Sequence, residues 1–518
     1  MCGIFGQYNL SGTDRALVER MAHCLSHRGP DGYGIHQTVP LTFGAGRLAI
    51  IDLQADAGPI FSEDRRVAVV YNGEIYNYRA LRTELEKLGH HFATLTDTEV
   101  IVHGYESWGI DVINRLRGMF ALGLWDVGAE RLVLARDRLG EKPLYFTRNN
   151  SDFLFASEIK ALFEYPMLRR AVNDEALSQY LSLGYVPPPD TMFQDIQKLA
   201  PGELLIVDRG ELHRERYWQP VMDTLQPMDY AQTEQQVRDL LIEAVEMRLM
   251  SDVPIGAFLS GGVDSTAVVA IMGRALGHPV ETFTVGFDME SGSKADNKFN
   301  VDARYAALAA ERLGTHHHAI TLRQDETLSE LLPHLVYATD EPLAQQALFQ
   351  TAYISALARA NGIPVLLTGD CGDELFAGYT HFRADQVLGR YLQIPGLLRQ
   401  RVLTPLLEKL PPRFDNLRKL AQKSRQVDPV NRYLAWKRVV DLESLPGLLT
   451  NSNQANSAYA AVSKALLPAL NAPHTRHFAD RLAFAGLTSW VAEDSNMRVD
   501  KMSMLMSIEA RAPFEDHK

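Results

Sequence analysis

VPIGAFLSGGVDSTAVVAI, residues Val253 to Ile271, reads as a strand, a tight turn and a helix. Ile255, Ala257 and Leu259 are the apolar side of a short buried strand, and Gly261 and Gly262 remove the Cβ atoms where the chain must turn and let an anion approach. Ser260, Asp264 and Ser265 supply caps and hydroxyls, and Thr266 to Ile271 is an apolar run suited to a helix lying on a sheet. A turn of this kind aims unpaired backbone N–H groups and the positive end of a helix dipole at one point, where a phosphate or pyrophosphate belongs. No Gly-Lys-Ser/Thr follows at P-loop spacing.

The run SGGVDS instead resembles the pyrophosphate loop of ATP-pyrophosphatase enzymes, which split ATP between its α and β phosphates. That resemblance implies ATP held by Leu259, Ser260, Gly261, Gly262, Val263, Asp264 and Ser265, with Asp264 holding Mg²⁺ against the departing pyrophosphate.

A chain of 518 residues exceeds one ordinary core, so two or more domains are expected. The net charge of −12 argues against non-specific binding to nucleic acid or anionic membranes. No apolar run approaches a membrane span, and the N-terminus has neither a basic region nor a signal-like core, so a soluble, cytoplasmic protein is expected. Three cysteines, Cys2, Cys24 and Cys371, have no zinc spacing and cannot make a disulfide framework, which fits a reducing compartment.

Cys2 stands directly after the initiator. Removal of Met1 would give it a free amine with a pKa of about 8, able to serve as base for the adjacent thiol. Downstream come HRGPDG (His27 to Gly32), GRLAIID (Gly46 to Asp52), NGEIYNY (Asn72 to Tyr78), TDTE (Thr96 to Glu99), RGMFALGLWD and ARDRLGEKPLYF. Singly these have ordinary readings: Asn-Gly is a hairpin turn, and Asp97 an N-cap. In this order, beginning with MCGIFG, they resemble the glutaminase domain of class II glutamine amidotransferases over nearly all of the first 205 residues.

A thiolate attacking a glutamine amide creates an oxyanion that needs preorganised donors, and the substrate's α-carboxylate and α-ammonium need a guanidinium and a carboxylate. The resemblance gives the oxyanion to Asn72 and the Gly73 backbone N–H. It gives glutamine's charged ends to Arg47 and Asp97, with Glu74 and the backbone of Leu48, Ala49, Ile50 and Ile51 lining the pocket. Ala45-Gly46 and Ala57-Gly58 depart from that family's usual residues beside Arg47 and Pro59, so loop packing is expected to differ. Apolar runs at Val67 to Tyr71, Ala121 to Trp125 and Leu132 to Ala135 suit a layered α/β/β/α domain. Strand signal stops near Val207, and Arg209 to Asp229 reads as a linker.

From Tyr230 the spacing of Val237, Leu240, Leu241, Ala244, Val245 and Leu249 predicts a helix. Val280 to Phe287 reads as a parallel strand, and the resemblance places adenine near Val285. His316 to His318 read as a polar loop rather than a metal site, since no further Cys or His follows at useful spacing. Ile363 to Thr368 is a buried strand running into GDCGDELFAGY (Gly369 to Tyr379), whose crowded carboxylates call for a cation between them. The resemblance gives Asp373 to Mg²⁺, Thr368 and Gly369 to ATP, and Asp370 to formation of an acyl-adenylate; Cys371 reads as packing. In DSNMRVDKMSMLMSIEARAPFEDH (Asp494 to His517), Arg498 and Lys501 are both candidates to stabilise charge on phosphorus or on the leaving AMP, and Met502, Met504 and Met506 read as core. The resembling family continues with more helix beyond this run, so a truncation or a short end is expected.

The whole chain resembles the glutamine-hydrolysing asparagine synthetase family. That implies an α/β fold in two domains: an N-terminal-nucleophile sandwich over 1–208, a linker over 209–229, and a parallel-sheet ATP-pyrophosphatase-like domain with many helices over 230–518. It implies glutamine hydrolysis at Cys2, ATP and Mg²⁺ at the second site, and transfer of ammonia to an adenylated carboxylate, with aspartate the first choice. The segment Leu343 to Gln350 departs from the pattern of aspartate-specific members, so a sugar uronate or a peptide or antibiotic precursor stands as the alternative acceptor. A non-catalytic regulatory paralogue is the alternative of another class, and a homodimer is the assembly to test.

Overall fold

Short apolar runs separated by turns build the first half. The computed structural model describes residues 2–221, 229–323, 326–440, 444–449, 452–471 and 477–518. In chain order the strands are Ile4–Tyr8 (β1), Tyr33–Gln37 (β2), Leu41–Gly46 (β3), Ile60–Phe61 (β4), Val67–Ile75 (β5), Gly118–Asp126 (β6), Arg131–Arg136 (β7), Tyr145–Asn149 (β8), Asp152–Ala156 (β9), Ile196–Lys198 (β10), Glu203–Asp208 (β11) and Glu211–Arg216 (β12). They form two antiparallel sheets, ordered β10-β8-β9-β1-β3-β2 and β12-β11-β7-β6-β5-β4.

Ile4, Tyr8 and Phe43 of one sheet meet Val70, Trp125 and Leu134 of the other to make the central core. The outer face of the first sheet packs on the Arg15–Cys24 helix, and that of the second on the Tyr78–Lys87 and Glu99–Trp108 helices. The result is the expected α/β/β/α layering. Each buried Leu, Val or Phe is worth roughly 1.5–3 kcal/mol, so a one-residue slip that turned these faces over is excluded.

The interval read as a linker opens differently. Residues 211–216 pair with β11 along its whole length, from Asp208↔Glu211 to Glu203↔Arg216. Its sequence, ELHRER, is polar because β12 is an edge strand, where charge blocks further pairing; no apolar alternation marks it.

The second half carries Ile255–Phe258 (β13), Glu281–Phe287 (β14), His316–Leu322 (β15), Val365–Leu367 (β16) and Glu509–Arg511 (β17) in one parallel sheet ordered β15-β14-β13-β16-β17. From β13 the chain winds outward on both sides, so a crevice opens beyond the carboxyl ends of β13 and β16. The Val263–Leu276 helix starts in that crevice and ends at Gly277, whose φ of +70° is a left-handed cap.

Three details differ from or sharpen the sequence reading. The Tyr230–Met247 helix fully buries only Ala244 and Val245, while Val237 and Leu240 stay exposed. The triplet expected as a loop begins β15: His316 and His318 point one way to Glu281 (2.8 and 2.6 Å), and His317 turns the other way to the Thr282 hydroxyl (3.0 Å). Met502 and Met504 are core residues. Among the described residues, no helix is long and apolar enough to cross a membrane.

Candidate active sites

The first site lies at the start of β1 and the end of β5. The Cys2 backbone N–H donates to Asn72 Oδ1 at 3.1 Å. Burial pushes the Cys2 thiol up, while the Leu48 N–H and Arg47 pull it down and Asp97 raises it. Leu48, Arg47 and Asp97 therefore all act on one sulfur. Asn72 is fully buried, and its Nδ2 has no hydrogen-bond partner among the described residues. An amide N–H₂ left unpaired inside a protein costs free energy unless a ligand takes it. Next to it, Gly73 has no room for a side chain, since a Cβ would lie 2.0 Å from the Met119 carbonyl oxygen.

The pocket's charged groups are held from behind. Asp97 accepts from the Ile75 N–H at 2.8 Å, and burial pushes its carboxyl up to about 6. Burial and the neighbouring Asp97 raise the Glu74 carboxyl well above its ordinary range; one of its oxygens takes Arg511 Nη2 at 3.2 Å, and Oε1 has no partner among the described residues. The Arg47 guanidinium fans onto the carbonyls of Ile51 (3.2 Å), Asp52 and Ala55, and so shapes the loop after Ile50. Asp31, from the HRGPDG run, accepts the Ala49 N–H at 2.8 Å and ties that motif to the same wall.

The second site is a cleft of about 800 Å³ at the switch point of the parallel sheet. Leu259, Ser260, Gly262, Val263, Asp264, Ser265, Val285, Gly369, Asp370, Asp373 and Arg498 all reach it. Ser260 and Ser265 hydroxyls meet at 2.9 Å, and the Gly262 N–H donates to Ser260 Oγ at 3.3 Å, which fixes the turn. Gly261 lies behind the wall at φ +75°, where a Cβ would sit 2.3 Å from the Tyr305 carbonyl carbon.

The loop after β16 touches the loop after β13. A Cβ on Gly369 would meet Ser265 N at 2.6 Å, and one on Gly372 would meet Asp264 Cγ at 2.5 Å. Burial and the charge of Asp373 raise the Asp264 carboxyl. Two neighbouring carboxylates in a phosphate-sized cleft are the donor set a hard divalent cation requires, so these residues fit Mg²⁺. Between them Cys371 is buried at φ +74°, a backbone region that side chains rarely adopt.

The two candidate cations part company. Arg498 stands on the cleft wall, donating to Asp370 Oδ1 at 2.7 Å and Thr351 Oγ1 at 2.8 Å. Lys501 is 1% exposed and donates to Asp340 at 2.5 Å, with Glu158 3.9 Å away. Thr368 is also buried, and its Oγ1 accepts the Asp370 N–H at 3.3 Å. It lines a cavity of about 20 Å³ behind the cleft together with Glu141, Lys142, Asp500 and Glu515.

Sequence reading missed what joins the sites. Arg511 donates to Glu74 of the first site and Glu509 (2.6 Å) of its own strand, and its carbonyl accepts the Thr368 N–H (2.9 Å). Arg28 pairs with Glu158 and Asp500 (both 2.8 Å), Arg136 with Glu493 (2.8 Å), and Lys198 with Glu341 (2.5 Å) and Glu493 (3.1 Å). The only available signal was the presence of charged residues inside apolar motifs.

Comparison with known proteins follows the same division. A family model described as a glutamine amidotransferase domain matches residues 1–218, and one described as asparagine synthase matches 236–518. The chain is 32% identical over 531 residues to asparagine synthetase (glutamine-hydrolyzing) 1 of Bacillus subtilis, covering 100% of this chain and 79% of that protein. It is 33% identical over 550 residues to a putative asparagine synthetase (glutamine-hydrolyzing) of Mycobacterium tuberculosis, covering 100% and 80%. It is also 31% identical over 419 residues to amidase chyE of Penicillium rubens, covering 75% of this chain and 60% of that one.

Proposed function

The chain belongs to the glutamine-hydrolysing asparagine synthetase family, and from that membership we propose that it makes asparagine from aspartate, taking nitrogen from glutamine at one site and energy from ATP at the other. The observation that carries the reading is the buried Asn72 Nδ2 beside Cys2, which has no hydrogen-bond partner among the described residues.

In the first half, Cys2 Sγ attacks the amide carbon of glutamine, with the α-amine exposed by loss of Met1 taking the thiol proton. Asn72 Nδ2 and the Gly73 N–H hold the oxyanion. Arg47 is the partner for the substrate α-carboxylate, and Asp97 with Glu74 for the α-ammonium. Ammonia leaves, and water hydrolyses the Cys2 thioester to glutamate.

In the second half, the turn from Ser260 to Ser265 holds the β and γ phosphates, with the adenine beside Val285 and with Thr368 and Gly369 shaping the site's floor. Asp264 and Asp373 would hold Mg²⁺, which would supply charge neutralisation for the departing pyrophosphate. The aspartate side-chain carboxylate attacks the α-phosphorus to give an acyl-adenylate. Arg498, oriented by Asp370, stabilises the charge there, and Lys501 keeps Asp340 and Glu158 in place. Ammonia delivered inside the protein attacks the acyl carbon and expels AMP. The sum is ATP, aspartate, glutamine and water giving asparagine, AMP, pyrophosphate and glutamate. We place the boundary between the two functions within 217–229, after β12.

One observation favours a second reading. Gln345, Ala347 and Gln350, from the segment that departs from the aspartate-specific pattern, line the cleft, which suits a different carboxylate acceptor for the same chemistry. Incubation with MgATP, aspartate and amide-¹⁵N-glutamine, read by mass spectrometry, decides between them. Labelled asparagine with AMP supports the first reading. Glutamate and labelled ammonia without AMP would point to the second, and absence of glutamate would overturn the Cys2 mechanism.

A further inference from the structure

On the outer face of the first half, away from both sites, two histidines converge. His103 lies fully buried on the Glu99–Trp108 helix, His90 follows the Tyr78–Lys87 helix, and Glu63 sits in the exposed turn between β4 and β5. Ligand atoms of Glu63, His90 and His103 all lie within 4.8 Å of one another. Glu106 adds a second carboxylate: its Oε2 is 3.3 Å from His103 Nδ1 and 3.6 Å from His90 Nδ1.

These spacings have a meaning. A tetrahedral zinc ion with bonds of about 2.0–2.1 Å separates its ligand atoms by about 3.3–3.4 Å. The outward nitrogens are also fixed: His103 Nε2 faces Glu99 Oε1 at 3.3 Å, and His90 Nε2 faces Ser107 Oγ at 2.7 Å. A carboxylate or hydroxyl behind each imidazole sets its tautomer and turns the other nitrogen inward, the arrangement found behind metal-bound histidines. Glu63 keeps one oxygen on the His91 N–H (2.5 Å), which leaves its other oxygen for a ligand and opens the cluster to solvent on that side.

We propose that Glu63, His90 and His103, with Glu106 beside the two imidazoles, form a structural binding site for a divalent transition-metal ion of the zinc type. Its effect would be mechanical: Glu99, behind His103, also holds the N–H groups of Ala93 and Thr94 (both 2.7 Å), so a metal would fasten the loop that leads to Asp97.

The test uses full-length protein stripped with a chelator and titrated with zinc against a chromophoric competitor. One zinc per chain is expected, with affinity at least about 100-fold lower in His90→Ala. Cobalt(II) should give an intense tetrahedral absorption in the wild type that His90→Ala lacks, and zinc should raise the melting temperature of the wild type alone. Glu63→Gln, an exposed change, supplies the comparison should His90→Ala fold poorly in the metal-free state. Failure of the wild type to take up zinc at micromolar concentration would overturn the proposal, as would uptake unchanged in both variants. Uptake that disappears with Cys2→Ser or Asp264→Asn, rather than with His90→Ala, would assign the metal elsewhere and overturn it equally.

Discussion

Asn72 divides its amide between two tasks, with Oδ1 on the Cys2 backbone and Nδ2 free of protein partners among the described residues. Asn72→Ala should therefore lower kcat for glutamate release about 10²–10³-fold, while asparagine synthesis from free ammonia persists. The cations at 498 and 501 should separate in the same spirit. Arg498→Ala is expected to abolish AMP formation and to spare glutamate release. Lys501→Ala leaves Asp340 and Glu158 short of a buried partner and should cost about 3–5 kcal/mol in urea unfolding. The sequence could present both cations in one motif but could not say which faces the cleft, because that depends on which side of the Asn496–Leu505 helix meets the other half. Cys2, Asn72 and Asp264 could be singled out from sequence because each sits in a short run that resembles a known family's motif.

At the scale of elements, the two loops at the switch point are built to touch. Gly372→Ala places a Cβ 2.5 Å from Asp264 Cγ, so the Asp264 carboxylate must move. A displacement near 1 Å commonly costs about 10²-fold, and pyrophosphate release should fall by that order while glutaminase activity holds. Both activities measured on one preparation check this. Strand–turn–helix signals of this kind are local and were readable. The edge strand β12 was not, because its polar ELHRER has no alternation. The histidine triplet misled for a related reason: in β15 successive side chains alternate faces, and the pairing to Glu281 lies 35 and 37 residues away in sequence.

For the whole molecule, the decisive contacts join residues hundreds of positions apart, such as Arg28 with Asp500, and no window of sequence displays them. They also set a pH response. Burial, with Asp137, pushes Glu141 up to about 8, and burial pushes Asp97 and Asp494 up to about 6. Carboxyls whose folded pKa exceeds the unfolded value stabilise the fold fully below the ordinary carboxylate range, and that stability is lost as pH rises through the folded value. Asp516 behaves oppositely: burial pushes it up, but Arg248 and Arg117 more than reverse this and hold it at about 2, so its contribution fades only in acid. The melting temperature should accordingly decline from about pH 4, where the unfolded carboxyls ionise, to about pH 8, and Glu141→Gln should flatten the part of that decline above about pH 6, as measured by scanning calorimetry across the range.

The bond from Arg511 to Glu74 spans 437 residues. A ribosome adding about 5–20 residues per second needs on the order of 20–90 s to cover that distance, and during it the finished N-terminal sandwich waits with Arg28, Arg136 and Lys198 still hydrated. Its glutamine pocket waits too, because the arginine that sets Glu74 arrives on the final strand of the acceptor domain's sheet. Translation order thus places Glu74's partner late: a nascent chain cannot form this bond until the strand that carries Arg511 has been made.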